Sequence, residues 1–214
     1  MTLHRASAAH PSRAPKGSGH SGNFSRLFDN RFNAWSVRVA PGDYYVTAEP
    51  DEMIVTVLGS CVSACVRNPR TGFGGLNHFM LPESGSGEWN GVNASMRYGN
   101  YAMEALINEV LKSGCQRHEL DIKLFGGANF NDGSTMVGSH NSRFAIEYLR
   151  AEGLRIGSTD LGGRHGRRIH FFPATGVVRR LLLKSEADRS VVAEERQYVS
   201  KLARLPVEGE IDLF

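Results

Sequence analysis

The sequence predicts an α+β fold, two packed β-sheets with helices on the outside, and three observations predict it. Six or more short runs rich in β-branched and aromatic residues are bounded by Gly and Pro. Only two segments carry a strong helical period. Strands and helices do not alternate regularly, and two helices are too few for a doubly wound sheet. The 214 residues supply one substantial core rather than two.

Taken in order, residues 1–23 are rich in Ser, Gly, His, Arg and Pro without apolar periodicity, which predicts a disordered basic extension. Residues 24–42 set Phe28, Phe32 and Trp35 among charges, and a short helix or clip is expected there, so the extension with its clip spans 1–42. From Asp43 the texture changes. Tyr44, Tyr45 and Val46, then 53–58, read as strands. Residues 62–66 and 75–81 flank Asn68-Pro69-Arg70-Thr71-Gly72, whose Pro and Gly form turns, so a β-hairpin is expected.

Residues 95–113 place Tyr98, Tyr101, Ala102, Ala105, Leu106, Val110 and Leu111 near helical spacing, with Gly114 set to end the helix. A strand over 120–125 runs into Gly126-Gly127. A second helix over 141–152 carries Phe144, Ile146, Tyr148 and Leu149 and is closed by Gly153. Strands over 154–159, 168–172 and 177–183 complete a domain covering 43–184. Residues 185–214 form a charged tail with one helix expected over 194–202.

Composition narrows the function. The hydrophobic fraction is 41%, and a net charge of +3 is too small to argue for nucleic acid as the main partner. No apolar run approaches the roughly 20 residues of a membrane-spanning helix, and the N-terminus lacks the apolar core of a secretory signal. A cytoplasmic protein without membrane insertion is expected. Three cysteines form no dense framework, which fits a reducing compartment and leaves a thiol free for chemistry. Cys65 and Cys115 make no C-x-x-C pair, and the eight histidines lack helical ligand spacing. No metal and no cofactor is expected.

Cys61 and His78 are the candidate reactive pair. If the hairpin turn is centred between Pro69 and Arg70, the two stand directly opposite, with Cβ atoms about 4.5–5.5 Å apart. A free thiol with a pKa of about 8.5 is only a few per cent thiolate at neutral pH, and a neighbouring imidazole changes that by taking the proton. Gly59 and Ser60 precede the cysteine in a turn whose backbone N–H groups are placed to hold an oxyanion. The structural alternative is a buried small hydrophobe at Cys61 and a satisfied core histidine at His78.

The run Leu58-Gly59-Ser60-Cys61-Val62, followed by Gly74-Gly75-Leu76-Asn77-His78-Phe79-Met80-Leu81-Pro82, resembles the CheD family of chemoreceptor glutamine deamidases. The resemblance continues through Lys123-Leu124-Phe125-Gly126-Gly127-Ala128, residues 138–141, Asp160-Leu161-Gly162-Gly163, Gly166-Arg167 and Thr175-Gly176-Val177, and covers 44–184. It implies a three-layer α/β/β sandwich. It further implies that Cys61 attacks the carboxamide of receptor glutamines with His78 as base, that ammonia leaves, and that water hydrolyses the thioester. The family's third residue is a threonine, commonly six positions before the cysteine. That position here is Val55, so Thr56 is carried over to the role, with Asn77 or Asn141 as alternative partners of the imidazole. A CheC-type phosphatase is the further partner the resemblance implies.

Receptor substrates are long helical bundles, so an open site is expected. Arg164, Arg167 and Arg168 cluster at one Gly-rich loop and are candidates for a basic rim that steers acidic helices, against the alternative of a solvated loop. Two other functions compete with the deamidase. One is a non-catalytic chemotaxis module that binds receptors or the phosphatase, favoured by the displaced threonine. The other is a cysteine protease.

Overall fold

Two mixed sheets and two helices are found among the described residues, which are 17–19, 24–81, 92–130 and 136–183 of the computed structural model, with Ala193, Glu195, Gln197 and Tyr198. The strands are β1 (Ser18–Gly19), β2 (Arg26–Asp29), β3 (Ala34–Arg38), β4 (Tyr44–Thr47), β5 (Glu52–Leu58) and β6 (Val62–Arg67). They continue as β7 (Gly74–Asn77), β8 (Asp121–Gly126), β9 (Ser158–Leu161), β10 (Arg167–Phe172) and β11 (Val177–Leu182). The helices are α1 (Val92–Leu111) and α2 (Val137–Ala151). The six-stranded sheet runs β1-β4-β7-β6-β8-β9 and the five-stranded sheet β11-β10-β5-β3-β2. Each contains one parallel pair, β8 with β9 and β3 with β5. The chain is therefore of the α+β class.

Two apolar clusters place the elements. The first gathers Val62, Ala64 and Val66 of β6 and Ile122 and Leu124 of β8 with Met103, Leu106, Ile107 and Val110 of α1 and Phe144, Ala145 and Leu149 of α2. The second sets Cys61, Cys65 and Leu76 of the six-stranded sheet against Val37, Ile54, Leu58, Ile169 and Phe171 of the five-stranded sheet. Strand β6 is thus covered on both faces. All six of its residues are buried, Ser63 and Arg67 included, so its burial does not alternate as in a strand with one solvated face. Strand β5 keeps the two-residue period: Ile54, Thr56 and Leu58 are buried, whereas Val55 and Val57 are only partly so.

The segment 24–42 departs from expectation. It supplies β2 and β3 to the five-stranded sheet, where β3 pairs in parallel with β5, so ordered structure begins before Asp43. Its charges disguised it. Arg26 is buried, donates from Nε to Glu52 Oε1 at 2.6 Å, and lies 4.2 Å from the centre of the Trp35 ring. Most of the expected extension over 1–23 lies outside the described residues, but Ser18 and Gly19 pair with Val46 and Tyr45 of β4. The expected helix over 194–202 lies largely outside them too, with Glu195, Gln197 and Tyr198 described as helical.

The hairpin forms with its register moved by one position in the turn. Val62 pairs with Phe79 and Cys65 with Leu76, so Cys61 stands opposite Met80, and His78 opposite Ser63. The turn itself explains the move. Asn68 N–H donates to Phe73 O and Gly72 N–H to Asn68 O, while Asn68 Oδ1 accepts from the Arg70 N–H. Gly72 takes φ +74, a left-handed position natural to glycine, so the loop centres between Arg70 and Thr71. Cys61 and His78 become diagonal rather than direct neighbours, still on the same face.

Candidate active site

The face shared by Cys61 and His78 is the one turned toward the five-stranded sheet. Backbone hydrogen bonds fix both residues just beyond the ends of β6 and β7. Gly127 N–H donates to Cys61 O at 2.7 Å and Ala128 N–H to Gly59 O at 2.8 Å. His78 N–H donates to Asp43 O at 2.9 Å, and its carbonyl accepts from Gly42 N–H at 2.7 Å. Asn141 of α2 ties the two sides together, donating to Ser60 O and accepting from the Leu81 N–H.

Thr56 reaches the imidazole from the opposite sheet. Its Oγ1 lies 2.7 Å from His78 Nδ1 and donates its single proton to Val39 O at 2.9 Å. A hydroxyl whose proton is committed can only accept, so Nδ1 carries the hydrogen and Nε2 is the bare nitrogen. Nε2 has no hydrogen-bond partner among the described residues. Burial pulls the His78 pKa down to about 4, with the charge of Arg38 pushing the same way, and the charge of Glu195 and a hydrogen bond to the Val39 backbone opposing. The imidazole is therefore neutral near pH 7, the form that accepts a proton.

The expected oxyanion residues deliver their N–H groups to one point, and the occupant was not foreseen. Gly59 and Cys61 N–H donate to Glu195 Oε1 at 2.8 and 3.0 Å. Ser60 N–H donates to Glu195 Oε2 at 2.9 Å and Ser60 Oγ to the same oxygen at 2.7 Å. Three successive amides converging on a carboxylate form an anion-binding nest. Gly59 lets the carboxylate approach closely, since a Cβ there would sit 2.8 Å from Glu195 Oε2 and push that side chain back. Cys61 Sγ, an imidazole nitrogen and a Glu195 oxygen all lie within 4.8 Å of one another. Such a trio has the composition of a metal site, but each Glu195 oxygen already accepts two hydrogen bonds, the pattern of an anion in a nest.

Cys61 is wholly buried, and its thiol pKa is pushed well up, first by burial and then by the charge of Glu195 and a hydrogen bond to it. Cys65 is raised likewise by burial and Cys115 less so, and all three thiols are free.

The remaining candidates separate. The hydrogen bonds of Asn77 and Asn141 go to groups other than the imidazole. Asn77 accepts from Ala64 N–H and donates to Ala102 O, locking β6 and β7 to α1. Arg167 is not a rim residue: it is 2% exposed and donates to the Asp160 and Gly162 carbonyls and to Asp160 Oδ1, bracing the loop before β10. The two-residue period of β10 sets Arg167, Ile169 and Phe171 inward, and Arg168 on the outer face, away from Cys61. Arg164 is exposed in the loop. Its neighbour Gly163 accepts from Asn129 N–H, on the stretch that follows Gly127. No local signal marked Glu195, which meets its partners across 134–136 residues of chain.

A thiol, a neutral imidazole with one nitrogen held and the other bare, and a nest of amides are the parts that a site of the cysteine amidohydrolase class uses. The chain belongs to the CheD family. Residues 80–180 match the family model described as CheD chemotactic sensory transduction. A protein of Rhodopseudomonas palustris (strain BisA53), named "Probable chemoreceptor glutamine deamidase CheD", is 46% identical over 214 residues, the whole of both chains. Proteins of the same name from Thiobacillus denitrificans and Halorhodospira halophila are 47% and 46% identical, over 87% and 90% of this chain and 93% and 91% of theirs. The family's enzymes are hydrolases, and this chain is one of them. No helix among the described residues is long and apolar enough to cross a membrane.

Proposed function

We propose that this chain converts glutamines of chemoreceptor cytoplasmic regions to glutamates through a thioester on Cys61. The observation that carries the reading is the Thr56 to His78 contact of 2.7 Å beside a buried thiol, because it fixes the tautomer in which Nε2 takes the proton. His78 accepts the Cys61 proton as sulfur attacks the carboxamide carbon. The N–H groups of Gly59, Ser60 and Cys61 hold the oxyanion. Imidazolium then returns the proton to the leaving nitrogen, and ammonia departs. Water, deprotonated by the same nitrogen, attacks the thioester, releasing glutamate and regenerating the thiol.

A three-layer α/β/β sandwich, with the six-stranded sheet between the helices and the second sheet, agrees with the two apolar clusters. The reading also takes the enzyme as cytoplasmic, where those receptor regions lie, with Arg164 on the substrate rim and a CheC-type phosphatase as second partner. A non-catalytic module drew on a displaced threonine, and the Thr56 contact leaves that alternative without support.

Incubation of the full chain with a purified receptor cytoplasmic fragment is expected to add one dalton per modified glutamine by mass spectrometry. An unchanged or cleaved fragment would overturn the reading. Thr56→Val is expected to lower kcat about 10²-fold with little change in KM, because the imidazole loses its tautomer lock but no substrate contact, while Thr56→Ser retains most of the rate. Steady-state assay of both variants checks this.

A further inference from the structure

Resting on that reading, the Gly59–Cys61 nest has a second meaning, carried by what fills it. The glutamate side chain is the product of the reaction. Glu195 brings that same group to the same three amides, with Ser60 Oγ as a fourth donor. Its residue is 4% exposed, so the carboxylate is enclosed rather than resting on the surface.

A second anchor lies one helical turn on. Tyr198 OH meets Tyr98 OH of α1, and the Tyr198 ring packs against the cluster between the sheets. A Cβ at Gly42 would collide with the Tyr198 hydroxyl, so the floor is shaped for it. Residues three apart share one helix face, so a single turn presents a carboxylate to the nest and an aromatic ring to the wall beside it.

Glu195 is not the orienting member of a triad. His78 Nδ1 is taken by Thr56, and the oxygens of Glu195 are spent on the amides that an oxyanion needs. A substrate carbonyl cannot enter while they are occupied.

We infer that the nest with Ser60 Oγ receives the substrate's carboxamide oxygen and then the product's carboxylate, and that the chain's own segment around Glu195 and Tyr198 fills it as a tethered product mimic. The segment competes with the substrate. A substrate side chain from a helix displaces it, and the amides pass from the Glu195 carboxylate to the substrate's carboxamide oxygen. The same carboxylate helps keep the Cys61 thiol protonated, so an unengaged enzyme is also chemically quiet.

Full-length Glu195→Ala is expected to react with iodoacetamide at Cys61, located by peptide mass, about tenfold or more faster than the native chain at pH 7, and to show a higher kcat/KM on receptor fragment. Tyr198→Phe should give an intermediate alkylation rate, which keeps the test open if the alanine variant folds poorly. Glu195→Gln places a carboxamide at the sulfur: S–C forms, C–N breaks, ammonia leaves and water restores the thiol. Residue 195 should then become Glu, gaining one dalton at a rate independent of protein concentration, and should not do so when Cys61 is also Ala.

Unchanged alkylation in both Glu195→Ala and Tyr198→Phe, or a fall in kcat on removing Glu195, overturns the inference. So does a Gln at position 195 that persists while receptor glutamines are converted. If neither converts, the deamidase reading is what fails, and the alkylation rates still decide the occupancy.

Discussion

Cys61→Ala is expected to abolish the proposed conversion of receptor glutamines, with a residual rate lower by about 10⁴-fold or more. The size follows from the chemistry: the variant keeps the nest and the imidazole but has no atom to form the thioester, and residues that act as one unit lose nearly everything when one is removed. Cys61→Ser should fare little better, because a hydroxyl is far less acidic than a thiol and His78 is a weak base in its buried setting. Single-turnover mass spectrometry measures both. The side chain is wholly buried, so thermal melts must accompany the assay to show that only a small cavity was made. Undiminished conversion by either variant removes Cys61 from the mechanism.

His78→Ala is the second large loss, about 10³-fold or more in kcat, because one nitrogen serves attack, departure and hydrolysis in turn. A second readout is independent of substrate. The His78 pKa is lowered from 6.5 to about 4, chiefly by burial, so between those values the unfolded chain holds a proton there that the folded chain lacks. Stability therefore rises with pH across that window and falls as acid is added from about pH 6.5 toward pH 4. The groups acting on the ring are Glu195, Arg38 and the Val39 carbonyl, along with the Thr56 hydroxyl. Denaturant midpoints from pH 4 to 7 should slope less in His78→Ala than in the native chain. Equal slopes would mean the imidazole is not held neutral.

The sequence carried the elements whose signal is local. Both helices have an apolar period, and β5, β8, β10 and β11 are bounded runs of aliphatic or aromatic residues, so all are legible in the sequence to within a few residues. Strands β2 and β3 are not, since Arg26, Arg31 and Arg38 break the pattern and the burial of Arg26 depends on Glu52, far along the chain. The turn between β6 and β7 was misplaced by one residue because Gly72 and the Asn68 side chain, not Pro69, set its centre.

Within the site, strand parity carries information about Thr56 and Arg167. Thr56 alternates with Ile54 and Leu58, both buried, and that alone places it inward. Arg167 alternates with Ile169 and Phe171 in the same way and so could not line a rim. Glu195 had no such sign, because one acidic residue in a charged tail looks like any other until the fold brings it back to the turn at Gly59.

The imidazole is gripped from one sheet and carried by the other: Thr56 and Val39 belong to the five-stranded side, His78 and Cys61 to the six-stranded side. Proton affinity at the reactive centre is thereby tied to the gap between two slabs about 10 Å apart. Loosening of side chains in that gap, at the buried Phe171 or Leu76, is therefore expected to slow the chemistry as well as to lower the melting point.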